Sequence, residues 1–151
     1  MKLFLVDHRF PLDTDYANDT NFRECCDLIV DLILSHISDD PALFGLRHVD
    51  EVSDAPVPAN LRYGDVDAVR ISDTATLRAI LRETCDPSSG KFMLVRSLAT
   101  CRAVLFGHDG QAFVCLPTDA PDMDSPDERI TVENRSDMLT KSDYMDGLLS
   151  R

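Results

Sequence analysis

The chain has few glycines, no tryptophan and no long apolar run. With only 6 glycines in 151 residues, it contains no glycine-rich phosphate-binding loop, and it also lacks the GxSxG turn of serine hydrolases. The N-terminal apolar run at residues 3–6 is too short for the core of a signal peptide, and no later run approaches the length of a membrane span. We therefore expect no nucleotide chemistry of the common kinds and no membrane partner.

Positive charge is also scarce. The 15 Lys and Arg residues stand against 27 Asp and Glu residues, which gives a net charge of -12. Such a surface repels phosphate backbones, so direct nucleic-acid binding is not expected, and a cationic partner is favoured. An acidic surface also promotes solubility by itself, so net charge alone does not identify a binding site.

The cysteines lack the spacing of a disulfide framework or a zinc site. The five are Cys25, Cys26, Cys85, Cys101 and Cys115. Their number is odd, two are adjacent, and no CxxC or CxxxC pair occurs, which argues against a secreted disulfide scaffold and against a local metal-ligand pair. We expect a reducing compartment, the cytoplasm or the nucleus, and neither a metal nor another cofactor.

What the sequence does contain predicts a mixed fold. The length suits a single globular domain over residues 1–151, which buries roughly 70% of its extended surface. Apolar runs predict strands at 2–6 and 67–71, and helical periodicity predicts helices at about 21–37 and 74–85. The segments CRAVLF and QAFVCL, joined by GHDG, are typical of a hairpin. Because this hairpin breaks β-α-β alternation, we predict an α+β fold: a mostly antiparallel sheet with a central buried helix and two or three further helices packed on it.

Shorter segments complete this prediction. FMLVRSL and ITVEN have the composition of strands, and PALFGL follows two aspartates, which suggests a single helical turn closed by Gly45. Ser72 or Asp73 is expected to cap the helix at 74–85, and Ser136 to begin a closing amphipathic helix.

The adjacent cysteines lie near the start of TNFRECCDLIVDLILSHI, where Asn21 and Glu24 resemble a capping pair. At about 100° per residue, the polar positions form one narrow stripe, and both cysteines fall in the apolar arc. We therefore predict that Cys25 and Cys26 are core residues. The stripe consists of Glu24, Asp27, Asp31 and Ser35.

One catalytic hypothesis stays open for this helix. In papain-like hydrolases a cysteine near the start of a central helix faces a histidine on a later strand, and the order of elements here permits that outline. His36 lies roughly 16 Å along the helix axis from Cys25, too far to act as its base. His108 falls in the predicted hairpin turn. A cysteine hydrolase of papain-like outline, or a catalytically silent relative, is the alternative function.

The acidic residues are concentrated in two loops. The denser loop is punctuated by prolines at positions 117, 121 and 126, which lower the entropy lost on docking to a partner. We predict that this loop binds a basic protein surface. Its candidate residues are Asp119, Asp122, Asp124, Asp127 and Glu128.

The other loop has part of a calcium-loop pattern. Four carboxylates occupy positions one, three, seven and twelve of an EF-hand register, but Ala17 replaces a ligand and Asn18 replaces the glycine. A second register at Asp122, Asp124 and Glu133 is weaker. We expect an acidic loop leading into a helix instead of a Ca²⁺ site. The four residues are Asp13, Asp15, Asp19 and Glu24.

These observations favour a non-catalytic, acidic protein-interaction module, of which nucleic-acid charge mimicry is a special case. A third hypothesis is a structural subunit that forms a homo-oligomer through an apolar patch on the closing helix. That patch would contain Met138, Tyr144, Met145 and Leu148.

Overall fold

The computed structural model describes residues 1–11, 13–37, 41–45, 62–63, 66–71, 73–85, 93–97, 99–100, 102–107 and 110–140. The strands are β1 (Lys2–His8), β2 (Pro41–Gly45), β3 (Arg62–Tyr63), β4 (Val66–Arg70), β5 (Met93–Ser97), β6 (Ala103–Phe106), β7 (Ala112–Leu116) and β8 (Ile130–Asn134). The α-helices are α1 (Thr20–His36) and α2 (Thr74–Thr84), and a 3-10 helix covers Ser136–Thr140. The predicted α+β class is therefore confirmed.

The eight described strands form one sheet in the order β3-β4-β2-β5-β6-β7-β1-β8. Every strand pair in it is antiparallel, as predicted. β1 lies between β7 and β8, so the first strand of the chain is inserted beside the last ones. This arrangement places the loop after β1 and the loop before β8 at the same end of the sheet.

The two faces of the sheet follow from the strand period of two. On one face Phe4, Val114 and Val104 lie in a row across β1, β7 and β6, and all three belong to the core cluster that contains the buried residues of α1. On the opposite face Leu3 and Cys115 are directly paired and are also buried. Alternation along each strand thus supplies apolar side chains to both faces.

α1 forms where the sequence predicts a helix, but its first residues differ from the prediction. The N-cap is Asp19, whose carboxylate accepts a hydrogen bond from the Phe22 N–H at 3.0 Å. Asn21 lies inside the helix, so the predicted capping pair of Asn21 and Glu24 is wrong. Asp19 takes the role because it has extended backbone immediately before the first helical residue. At the other end, Arg102 donates a hydrogen bond to the His36 carbonyl at 3.2 Å.

The second helix is capped as the sequence predicts. The Asp73 carboxylate accepts from the Ala75 N–H at 3.0 Å, and α2 buries Leu77 and Leu81. Two ion pairs connect it to α1: Arg82 with Asp27 at 2.6 Å, and Arg78 with Asp31. Two of the four residues in the predicted polar stripe of α1, Asp27 and Asp31, thus pair with arginines of α2.

The predicted hairpin is confirmed. β6 and β7 pair from Ala103 with Cys115 to Phe106 with Ala112. The turn is closed by the Gly107 N–H, which donates to the Gln111 carbonyl at 2.8 Å. Gly110 has a φ of 79°, a left-handed conformation that glycine adopts without steric strain.

The PALFGL prediction is wrong. Residues 41–45 form β2, whose backbone pairs with β4 on one side and β5 on the other. Pro41 is compatible with this internal strand because it is the first strand residue, where its missing N–H disturbs the ladder least. Strand pairing on both sides therefore overrides the local signal for a helix start.

The described residues contain two α-helices, α1 and α2, and one 3-10 helix. This is fewer α-helices than we predicted. Ser136 begins the 3-10 helix, with its N–H and hydroxyl bonded to Asn134 Oδ1. Tyr144, Met145 and Leu148, predicted to form an apolar patch on a closing helix, lie outside the described residues. Among the helices described, none has the length and apolar character needed to cross a membrane.

Candidate partner-binding surface

The densest acidic segment lies between β7 and β8. We call residues 117–129 the acidic loop. Although it has no regular secondary structure, Ala120 and Met123 are buried within the main core cluster. A turn hydrogen bond from the Ala120 N–H to the Pro117 carbonyl, at 3.0 Å, shapes its first part. Two apolar side chains therefore anchor the loop to the folded core.

The first two residues of the chain hold the same part of the loop. Lys2 Nζ contacts Asp122 Oδ1 at 2.8 Å and also donates to the Ala120 carbonyl. The N-terminal ammonium donates to Thr118 Oγ1 at 2.7 Å. The Asp122 side chain remains 69% exposed in this ion pair, so it can also be reached from solvent.

An ion pair inside the acidic loop fixes its second part. Arg129 Nε lies 2.8 Å from Asp127 Oδ1, and Arg129 Nη2 lies 2.9 Å from Asp127 Oδ2. The Arg129 side-chain hydrogen bond lowers the pKa of Asp127 to about 2, and the Asp127 hydrogen bond raises the pKa of Arg129. The Ser125 hydroxyl lies 2.6 Å from the Asp127 and Ile130 carbonyl oxygens.

The five predicted binding residues consequently divide into two groups. Asp119, Asp124 and Glu128 are exposed and make no hydrogen bond or ion pair with any other residue that the structure describes. Asp122 is exposed and paired with Lys2, whereas Asp127 is partly buried and doubly bonded to Arg129. Asp127 therefore has a structural role that the sequence interpretation did not assign to it.

The loop before α1 lies beside the acidic loop. Arg129 Nη1 donates to Asn21 Oδ1 and lies 3.5 Å from Glu24 Oε2, and the Arg9 N–H donates to the Arg129 carbonyl at 3.1 Å. Sequence reasoning treated the two acidic segments separately. The signal that joins them is the pairing of β1 with β8, which brings the end of one strand next to the start of the other.

Three of the four carboxylates in the partial calcium pattern have other partners. Asp19 caps α1, and Asp15 accepts from the Ala17 N–H at 3.0 Å and from Asn18 Nδ2 at 2.5 Å. Glu24 is directed to Arg129. Across the described part of the chain, no group of three or more His, Cys, Asp or Glu residues could hold a metal ion.

The adjacent cysteines are both fully buried on α1. Burial, with a smaller contribution from Cys26, raises the pKa of Cys25 to about 12. The hairpin turn lies beside Cys26, because a Cβ on Gly110 would lie 3.7 Å from Cys26 Sγ and 3.9 Å from His8 Nε2. The proximity of His8 to Cys26 was not evident from the sequence, because it depends on the long-range pairing of β1 with β7.

His8 accepts a backbone hydrogen bond and packs against an aromatic ring. Its Nδ1 accepts a hydrogen bond from the Phe10 N–H at 3.1 Å, and its ring packs edge-on against Phe22 with centroids 4.9 Å apart. The residue is 9% exposed. Such an environment is typical of a packed histidine and offers little access to a substrate.

Comparisons with protein-family models, with curated proteins and with solved structures found no match to this chain.

Proposed function

We propose that the protein is a non-catalytic interaction module that binds a basic protein surface through the acidic loop. The observation that carries this proposal is the combination of an anchored backbone with outward carboxylates. Ala120 and Met123 are buried, whereas Asp119, Asp124 and Glu128 are exposed and have no partner among the residues described.

Anchoring matters because binding by a freely moving loop is opposed by the entropy of ordering it. In the acidic loop, core contacts, the Lys2 contacts and the Asp127–Arg129 pair restrict the backbone before a partner arrives. Partner lysine and arginine side chains would therefore meet carboxylates already held in place. Desolvation of the charges also opposes binding, but this contribution is small at an exposed rim.

The electrostatics favour a cationic partner over other macromolecules. The whole chain has a net charge of -12, and the neighbouring loop before α1 adds Asp13 and Asp15, both exposed. Long-range attraction of this kind raises association rates and is screened over about 8–10 Å at physiological ionic strength. Mimicry of nucleic-acid charge is the special case in which the partner is a nucleic-acid-binding protein.

The alternative of a cysteine-dependent hydrolase gains less support. A nucleophilic cysteine needs access and a lowered pKa, usually supplied by a cation or a helix N-terminus. Cys25 has no exposed surface and a pKa raised to about 12, and Cys26 is equally inaccessible. Four cysteines in the described residues are free, which agrees with the proposed cytoplasmic or nuclear location.

The experiment that tests the proposal compares two variants of equal net charge. One neutralises the loop (Asp119→Asn, Asp122→Asn, Asp124→Asn, Glu128→Gln), and the other neutralises four carboxylates elsewhere in the sequence (Asp50→Asn, Glu51→Gln, Asp54→Asn, Asp65→Asn). A partner captured by the wild-type chain is identified by mass spectrometry, purified and titrated calorimetrically at low and at raised salt.

We expect the affinity for that partner to fall at raised salt and to be lost in the loop variant but kept in the control. Equal losses in both variants would show that net charge, and not this loop, governs binding. Unchanged affinity in the loop variant would overturn the proposal.

A further inference from the structure

The sheet has a free edge at β8. This strand is the last in the sheet order, and among the described strands it pairs only with β1. At the other end of the sheet β3 covers two residues, whereas β8 covers five, so β8 has the longer edge. A free edge carries backbone N–H and C=O groups that another strand can pair with.

The ladder between β1 and β8 shows which backbone groups of β8 face outward. The Arg135 N–H donates to the Leu3 carbonyl at 2.8 Å, in register with the paired residues of the two strands. Because hydrogen-bonded and non-hydrogen-bonded pairs alternate in an antiparallel ladder, Thr131 and Glu133 direct their backbone groups to β1. The residues that alternate with them direct theirs away from β1. These are Ile130, Val132 and Asn134.

The acidic loop closes only one end of this edge. The Ile130 N–H donates to the Asp127 carbonyl at 3.1 Å, and the Ser125 hydroxyl lies 2.6 Å from the Ile130 carbonyl oxygen. The outward backbone groups of Val132 and Asn134 have no such partner among the residues described. Two N–H donors and two carbonyl acceptors are therefore available for pairing beyond the acidic loop.

The charges beside the edge favour a basic segment as the added strand. The Glu133 side chain is 60% exposed, and its ion pair with Arg135 is long, at 3.8 Å. Asp124 and Glu128, both exposed, are the sequence neighbours of the two loop residues that bond to Ile130. A second copy of the chain on this edge would bring like carboxylates together, which is unfavourable, whereas lysine or arginine would meet opposite charges.

We propose that the partner of the acidic loop contributes an extended segment, bearing lysine or arginine, that pairs with β8 as an additional strand. This inference rests on the proposed function, because it specifies the form in which the basic partner binds. Backbone pairing at Val132 and Asn134 would provide hydrogen bonds that are independent of the partner's sequence. Glu133 and the acidic loop would provide the preference for positive side chains.

The two contributions are needed together. Because the acidic loop already bonds to Ile130, a partner strand would pair from Val132 past Asn134, over a short stretch of backbone. A short two-stranded ladder is marginal in water by itself. Charge attraction alone would hold the partner near the loop without fixing its conformation. We therefore expect binding to depend both on the carboxylates and on the backbone of the partner segment.

Amide hydrogen exchange of the wild-type protein, followed by NMR, tests the pairing residue by residue. The probe is a synthetic peptide in which lysine alternates with valine. In the free protein we expect faster exchange at Val132 and Asn134 than at Thr131 and Glu133, whose amides bond to β1. Saturation with the peptide should slow exchange at Val132 and Asn134 by at least about tenfold, because their amides become hydrogen-bonded. Exchange at Thr131 and Glu133 should change less.

Two control peptides separate backbone pairing from charge. One has the same sequence with N-methylated backbone amides, which cannot donate to the edge, and the other has glutamate in place of lysine. We expect both to bind at least about tenfold more weakly than the lysine-valine peptide, measured by calorimetry.

A matched pair of protein variants tests the same edge from the other side. Val132→Pro removes an outward N–H without removing a bond to β1, whereas Val132→Ala shortens the same side chain and keeps the N–H. The proline variant should bind the lysine-valine peptide more weakly than the alanine variant. Because the exchange measurement uses the wild-type protein, the test does not depend on the folding of Val132→Pro.

The outcomes distinguish this inference from the proposed function. Peptide binding that is lost in the loop variant but gives no protection at Val132 and Asn134 would overturn the added strand and leave the function proposed above intact. Equal binding of the N-methylated peptide, or no binding of the lysine-valine peptide while the captured partner still requires the loop, would have the same meaning. Protection of these two amides in the free protein that disappears on dilution would show that a second copy occupies the edge, which also overturns the proposal.

Discussion

Arg129 donates two parallel hydrogen bonds to the carboxylate of Asp127, at 2.8 and 2.9 Å. The same guanidinium also contacts Asn21 and Glu24 at the start of α1. One side chain thus connects the acidic loop to the first turn of the helix. A carboxylate that sequence composition groups with the exposed aspartates is, in the structure, the residue that orients this arginine.

Neutralising Asp127 should therefore destabilise the protein more than neutralising Asp124. Asp127→Asn removes a two-point charge-assisted interaction, whereas Asp124→Asn changes an exposed side chain with no partner in the described residues. We expect a lower melting temperature for Asp127→Asn and an unchanged one for Asp124→Asn, measured by thermal denaturation. Equal melting temperatures would show that the pair does not contribute to stability.

The same ion pair should make stability depend on acid pH. The folded pKa of Asp127 is about 2 against an ordinary value of 3.8, so the native state binds this proton less readily than the unfolded state. The contribution is complete above 3.8 and is lost as the pH falls toward 2. Urea denaturation across this range should show a steeper loss for the wild type than for Asp127→Asn. Parallel curves would contradict the assignment.

Much of the fold could be predicted because its signals are local. Asp73 precedes an amphipathic run and caps α2, and the Asp-Gly pair between two β-rich segments marks the hairpin of β6 and β7. PALFGL was misassigned because a short apolar segment beginning with proline suits either a helix start or a strand. Only its pairing with β4 and β5, distant in sequence, decides between them.

The candidate surface was harder to predict. Composition identified the acidic loop, but not that Ala120 and Met123 enter the core, nor that Arg129 reaches Glu24. These contacts depend on β1 pairing with β7 and β8, which no local pattern encodes. The spacing of Asp127 and Arg129, two residues apart in a loop, was the one local clue to an internal ion pair.

Substitutions at Gly110 can show whether backbone strain or side-chain crowding destabilises the protein more. Alanine there would adopt a left-handed conformation, which costs about 1–2 kcal/mol. Its Cβ would lie 3.4 Å from His8 Cδ2 and 3.7 Å from Cys26 Sγ. We expect Gly110→Ala to lower the free energy of unfolding, measured by urea denaturation. Gly110→Asn is the matched variant, because asparagine tolerates left-handed backbone. A smaller loss for asparagine supports strain, and a larger one would show that crowding dominates.

The ion pairs between the helices should contribute modestly. Asp31 and Arg78 are each about half exposed, so their coupling energy is expected to be about 0.2–1 kcal/mol. Asp31→Arg and Arg78→Asp should each destabilise the protein, and the double variant should recover part of the loss because the charges are exchanged. A double-mutant cycle from urea denaturation measures the coupling. A coupling energy of zero would show that this ion pair does not stabilise the contact between the helices.

His36 should make stability depend on pH in the near-neutral range. Burial, and then the nearby Arg102, lower its pKa below its ordinary value of 6.5, so the unfolded state binds the proton more readily than the native state. The contribution is complete above 6.5 and is lost as the pH falls through the folded pKa. The free energy of unfolding of the wild type should therefore decline below 6.5 more than that of His36→Gln. If both proteins decline equally, other groups account for the loss, and the Arg102 contact with the end of α1 does not bias the protonation of His36.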